Sequence, residues 1–107
     1  MKNLTSVEQL NEETAKGTTV LMFSANWCPD CVVLDSDLPE IEGTFPNMTF
    51  IYVDRDQFIE VCQEMDIFGI PSFVVFQEGK EVDRYVSKDR KTKEEIVQFL
   101  QSIPKNV

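Results

Sequence analysis

The chain has no histidine and only three cysteines. A structural zinc site takes four Cys or His ligands, and an iron–sulfur cluster is short of ligands on the same count. Neither fits within one chain. Basic residues are also scarce: 10 Lys and Arg stand against 19 Asp and Glu, a net charge of -9. That balance works against a nucleic-acid or anionic-membrane partner, and we read it as solubility. No apolar run approaches membrane-spanning length. The first residues, Met1-Lys2-Asn3-Leu4-Thr5, carry no apolar h-region, so no signal peptide is expected. The expected location is the cytoplasm, where thiols stay reduced and a Cys pair tends to be catalytic. There is no internal repeat, low-complexity tract or linker. At 107 residues the chain is expected to form a single domain, 1–107, with one real core.

What is present centres on Trp27-Cys28-Pro29-Asp30-Cys31. The apolar run Val20-Leu21-Met22-Phe23 precedes it and a helical pattern follows. Two cysteines at this spacing, between a strand and a helix, form a redox pair. Cys28 falls at the helix N-terminus, where unsatisfied N–H groups favour a thiolate. Cys31 lies one turn on, within reach of a disulfide. A purely stabilising disulfide is the weaker reading, because a four-residue clip constrains little of the unfolded chain. Metal held by Cys28 and Cys31 of two chains is a minor alternative. Pro29 suits a first helical position, and Asp30 suits the dipole there.

The rest of the chain alternates strand and helix patterns. Ser6 with Gln9 suggests a capping box, a helix from near Val7 with Val7, Leu10 and Thr14 inward, and a stop at Gly17. Thr18 to Ser24 and Met48 to Val53 lack polar alternation, as strands buried on both faces do. Val32, Val33, Leu34, Leu38 and Ile41 supply apolar faces to the helix after Cys28, which Pro39 should kink or interrupt. Gln57 to Met65 reads as a short helix with Ile59 and Cys62 on one face, Cys62 being a small core residue. Phe73 to Phe76 reads as a third buried strand, Glu78-Gly79 as a hairpin turn, and Glu81 to Val86 as a polar edge strand. Thr92 with Glu95 caps a last helix carrying Ile96, Phe99, Leu100 and Ile103, ended by Pro104. The fold class is α/β: a central mixed sheet of four to five strands with helices on both faces.

At these residues the chain resembles the thioredoxin family, over about residues 3 to 103. Trp27-Cys28-Pro29-Asp30-Cys31 matches the family's W-C-x-x-C. Gly69-Ile70-Pro71-Ser72 matches its G-I-P-T loop, and Phe76, Gly79 and Val82 match the hairpin that follows. The pentapeptide itself resembles that of small cytosolic thioredoxin-like proteins. The resemblance implies the thioredoxin fold, a cis Ile70–Pro71 bond, and protein-disulfide reductase activity. It makes Cys28 the attacking thiol and Cys31 the resolving thiol, with Trp27, Pro29, Gly69, Ile70 and Pro71 forming the substrate surface. Asp30 is assigned to tuning the pair or to proton transfer. No cofactor is needed for the exchange. The implied partners are disulfide-containing proteins or small molecules, with a thioredoxin reductase or a low-molecular-weight thiol as electron donor, and the chain is expected to act as a monomer. A dedicated reductant of one partner and a non-enzymatic binding module are the alternatives. The sequence departs from the family at Met22 and Phe50, where many members carry a buried aspartate and a lysine. It departs again at Ser36, in place of a helix-kinking proline, and near Val86-Ser87, in place of a glycine. The departures count against a general-purpose role and recognition by a thioredoxin reductase, and they leave the dithiol chemistry in place.

Overall fold

The structure, a computed structural model, describes residues 1–104. The expected extent 1–107 therefore includes three residues outside the described ones. Ten elements run in the order β1 (Lys2–Asn3), α1 (Val7–Thr14), β2 (Thr18–Ser24), α2 (Pro29–Asp35), α3 (Leu38–Thr44), β3 (Met48–Asp54), α4 (Ile59–Glu64), β4 (Ser72–Gln77), β5 (Lys80–Tyr85) and α5 (Lys93–Gln101). The five strands form one sheet in the order β1-β3-β2-β4-β5. The β1–β3 and β3–β2 pairs are parallel, and β4 and β5 run antiparallel to their neighbours. The sheet is thus mixed, with β2 at its centre.

The central strands explain their own lack of polar alternation, because successive side chains point to opposite faces and both faces are covered. Leu21, Phe23, Ile51, Val53 and Val74 pack on one side with Leu10 of α1 and Val61 and Cys62 of α4. Val20, Met22, Phe50, Phe73 and Val75 pack on the other with Leu34 of α2, Ile41 of α3 and Ile96 and Leu100 of α5. Met22 and Phe50, the positions without the family's charged pair, are simply core residues here.

Local signals mostly produce the elements they predict. Thr92 and Glu95 form a complete capping box at α5. Ser6 caps α1 by accepting a bond from the Gln9 N–H at 3.1 Å, but the Gln9 side chain accepts from Thr5 instead of closing the box. Glu78 and Gly79 both have positive φ, 50° and 87°, as the two-residue turn of a twisted hairpin demands. The helix after Cys28 is two helices. The Pro39 ring would clash with the carbonyl four residues back, that of Asp35, and α2 ends at Asp35.

Some expectations fail. Strand β1 has two exposed residues and no pattern to betray it; it exists through pairing with β3, followed by Leu4 N–H donating to the Tyr52 carbonyl at 2.8 Å. Ile59 and Cys62 do not share a face: Cys62 is buried, while Ile59 opens α4 and is exposed. Val7, Val32 and Val33 are likewise exposed. Among the described residues no helix is long and apolar enough to cross a membrane.

Cys62 lies on the Leu21–Phe23 side of the sheet, in a different cluster from Cys28 and Cys31. Burial pushes its thiol up from the ordinary range. Cys62→Ala is therefore expected to cost about 1 kcal/mol in urea unfolding, as a small core truncation does, and to leave the alkylation rate of Cys28 unchanged. A fall in that rate would place the third thiol in the reactive site.

Candidate active site

Strand β2 ends at Ser24, and after four residues the chain enters α2 at Pro29. Cys28 is the N-cap of that helix, with extended backbone (φ -85°, ψ 113°). Its Sγ accepts a hydrogen bond from the Cys31 N–H at 3.3 Å, and its carbonyl accepts from Val32 N–H at 3.0 Å. The helix start is therefore built from the thiol itself. Pro29 occupies the first helical position, where a missing N–H costs nothing. Cys28 and Cys31 are both unpaired thiols, 5% and 1% exposed. Ala25 and Ile70 pack against them.

The second wall comes from the loop before β4. The Ile70–Pro71 bond is cis, as the resemblance implied. The Ile70 carbonyl accepts a long bond, 4.0 Å, from the Cys28 Sγ. Gly69 is required at its position by close approach: a Cβ there would sit 2.5 Å from the Ser87 carbonyl oxygen. The Ser72 hydroxyl donates to the Gly69 carbonyl at 2.6 Å and ties the loop to β4.

Trp27 stands beside the thiols, 56% exposed. Its Nε1–H donates to Asp56 at 2.6 Å, and the Arg55 guanidinium lies 5.8 Å from the ring centroid. The Asp30 carboxylate, half-buried on the first turn of α2, makes no hydrogen bond or ion pair among the described residues. Of the residues singled out from sequence, Cys28, Cys31 and Ile70 form one contact cluster. Trp27 and Pro29 border it, Gly69 and Pro71 build the facing loop, and Asp30 lies one residue from Cys31.

Four further residues near the site were not singled out from the sequence. Phe68, 64% exposed, is a second large apolar side chain next to the cis-proline loop; its position beside Gly69-Ile70-Pro71 was the available clue. Ser24 ends β2 and is 1% exposed, and Tyr52 of β3 packs half-buried against the core on the same face of the sheet. Lys91 looks like one more surface charge but is 3% exposed. Its ammonium donates to the Ser87 carbonyl (3.3 Å), the Ser87 hydroxyl (3.0 Å) and the Asp89 carbonyl (3.0 Å), and sits 5.1 Å from the Tyr85 ring centroid. It has no salt-bridge carboxylate among the described residues. Burial pulls its proton affinity down, while Asp89, Cys31 and Asp30 push it back up. Lys91 thus fixes Ser87, whose carbonyl in turn packs on Gly69.

Burial dominates the electrostatics of the resolving position. It pushes the Cys31 thiol up to about 11, and the bond with the Cys28 thiol adds to the rise. Ser24 and the Ala25 backbone act in the opposite direction. At neutral pH Cys31 is therefore a neutral thiol that must lose a proton before it can attack. A cavity of about 580 Å³ lies at the other end of the sheet, near Thr18 and Met48, and neither thiol lines it.

Two thiols that can close on each other within one helical turn can cycle between dithiol and disulfide. The fold and the site define a thiol–disulfide oxidoreductase. A family model described as Thioredoxin matches residues 3–102, and the chain belongs to the thioredoxin family. It is 35% identical to an H-type thioredoxin of Fagopyrum esculentum over 86 residues, 76% of this chain and 74% of that one. Its identity to H-type thioredoxin 1 of Nicotiana tabacum is 36% over 99 residues, 88% and 76% of the two chains. In eight of the curated relatives the matched part runs from 50% to 87% of the relative's length. Among solved structures, thioredoxin from Trypanosoma brucei brucei superposes with a TM-score of 0.82 at 25% identity, over 92% of this chain and 86% of that one.

Lys91→Ala removes three donors from half-buried acceptors and leaves a void. It is expected to lower stability by about 1–3 kcal/mol, read from urea unfolding. A change below about 0.5 kcal/mol would mean that water replaces the ammonium without loss.

Proposed function

We propose that this protein is a disulfide reductase in which Cys28 attacks a substrate disulfide and Cys31 resolves the mixed disulfide. The observation that carries this reading is the asymmetry of the two sulfurs. Cys28 Sγ caps the helix and approaches the Ile70 carbonyl on the cis-proline loop, whereas Cys31 lies beneath, 1% exposed. An extended substrate strand can lie along the loop edge at Ile70–Pro71 and bring its disulfide to Cys28. Trp27, Pro29 and Gly69 complete the surface that receives it. Cys31, held one turn away, outcompetes external thiols for the mixed disulfide by proximity. Two electrons pass to the substrate, which leaves as thiols, and the Cys28–Cys31 disulfide remains. A thioredoxin reductase or a small thiol then returns it to the dithiol. The chain works as a single-domain monomer in the cytoplasm, on disulfides of proteins or small molecules; parallel assays on insulin and cystine distinguish these substrate classes.

With limiting iodoacetamide, Cys28 is expected to be labelled first. Cys28→Ser is expected to abolish insulin reduction, and Cys31→Ser to accumulate mixed disulfides through Cys28. Faster labelling of Cys31 would reverse the assignment.

Asp30 is the pair's nearest carboxylate in sequence, and its negative charge opposes the thiolate state of the reduced pair. Asp30→Asn keeps the shape and removes the charge. Equilibration against a glutathione series is expected to show the mutant pair more oxidising. An unchanged equilibrium would leave Asp30 with only its helix-start role.

A further inference from the structure

Lys91 is the residue before the Thr92 cap of α5. At that position an apolar side chain commonly packs against the fourth residue of the helix, here the buried Ile96. The chain carries a lysine instead and closes over it, leaving 3% of the residue exposed. A buried ammonium is costly unless its donors are satisfied. Here all three go to one turn. The ammonium donates to the Ser87 carbonyl at 3.3 Å, the Ser87 hydroxyl at 3.0 Å and the Asp89 carbonyl at 3.0 Å, and it lies 5.1 Å from the Tyr85 ring centroid. The Asp89 N–H closes the turn by donating to the Ser87 hydroxyl at 3.3 Å. The Ser87–Asp89 backbone thus wraps a cation that belongs to the chain itself. That turn meets the loop facing the thiols. With no side chain at Gly69, the Ser87–Lys88 peptide packs on its backbone: a Cβ there would lie 2.5 Å from the Ser87 oxygen and 2.6 Å from the Lys88 nitrogen. The Ser72 hydroxyl sits between the two segments, 2.6 Å from the Gly69 carbonyl oxygen and 3.5 Å from that of Ser87. Ile70, next along, packs on the thiol cluster, and its carbonyl oxygen lies 4.0 Å from the Cys28 Sγ. A line of contacts therefore runs from the Lys91 ammonium through Ser87 and Gly69 to the Ile70–Pro71 edge.

We propose that Lys91 is a positioning residue that makes the site selective for polypeptide disulfides over small ones. The inference rests on the reading in which an extended substrate segment lies along the Ile70–Pro71 edge and brings its disulfide to Cys28. An edge that pairs with a strand must hold its backbone groups in place, because each main-chain bond to the partner depends on distance and direction. Gly69 gives this loop conformational freedom, and the turn packed on its backbone takes that freedom away. Lys91 fixes the turn from behind and does not touch the substrate. A polypeptide disulfide carries a segment long enough to use the edge, whereas a small disulfide reaches Cys28 without it. Removing the ammonium therefore weakens binding of the first class and leaves attack on the second intact.

The test compares insulin with Ellman's reagent on the full chain, with dithiothreitol as the reductant in the insulin assay. Lys91→Met keeps the length of the side chain and suits the position before a helix cap, so the fold is expected to survive. We expect its KM for insulin to rise about fivefold or more while kcat stays within about twofold, the pattern of lost binding. With Ellman's reagent, the first thionitrobenzoate release reports attack by Cys28 and should stay within about twofold of wild type. Ser87→Ala keeps the Lys91 charge and removes one of its acceptors, and should raise the insulin KM about twofold or more. A Lys91→Met that lowers the urea midpoint and leaves the insulin KM in place overturns the proposal. So does an equal loss with both substrates. A raised KM in Lys91→Met with a wild-type KM in Ser87→Ala also overturns it, because the ammonium would then act by its charge and not through the turn. If Lys91→Met does not fold, Ser87→Ala decides alone, and a wild-type insulin KM there overturns the proposal. If Cys28→Ser still reduces insulin, the assignment of the two thiols fails instead, which is a separate result.

Discussion

Strand β2 is hydrogen-bonded on both edges and buried on both faces, and the active site inherits its geometry from that constraint. Its parallel pairing to β3 and antiparallel pairing to β4 bring the end of one strand beside the start of another. Phe23 sits opposite Ser72. The chain leaving β2 for Cys28 therefore faces the chain entering β4 through Ile70 and Pro71. A slip of one residue would exchange the two sets of side chains across the sheet, moving Phe23 and Leu21 into the core that now holds Met22 and Val20. Both cores forbid it. The distance between thiol and cis-proline loop is thus held by packing several residues away from either.

The site is dry on one side and open on the other. Cys31, Ser24 and Lys91 are nearly inaccessible, while Trp27 and Phe68 project into solvent. The buried half controls proton affinity, because taking a charge out of water outweighs the weak attractions available there. The exposed half offers area to a partner. Lys91 links the two: its ammonium holds the Ser87 turn against Gly69, and its field reaches Cys31 and Asp30. A chain of net charge -9 keeps one of its few cations inside, at the reactive end.

Much of this was legible in the sequence because the informative features are local. A strand buried on both faces shows as an unbroken apolar run, a cap shows as Thr92 with Glu95, and the redox pair shows as two cysteines one turn apart. What escaped depends on tertiary placement. Strand β1 is defined only by its partner β3. Ile59 and Cys62 are three residues apart, but α4 starts at Ile59 and turns its first residue outward. Lys91 resembles its solvated neighbours Lys88 and Arg90 until the fold closes over it. Ser24 is one more small residue at a strand end until α2 is laid across it. Polar residues drawn into a core have no periodic signature, since their burial is decided by what covers them.

The sulfur that reacts is also the sulfur that caps α2, taking the Cys31 amide N–H. One atom therefore serves the helix and the chemistry at once. Forming a bond at Cys28 Sγ, whether to a substrate, to Cys31 or to an alkylating reagent, changes the acceptor that the first turn relies on. The Cys31 amide becomes a built-in reporter: its chemical shift and hydrogen exchange follow the covalent state of Cys28 without any added label. Partners that distinguish reduced from oxidised protein have a backbone feature to read at the helix start, in addition to the thiols themselves.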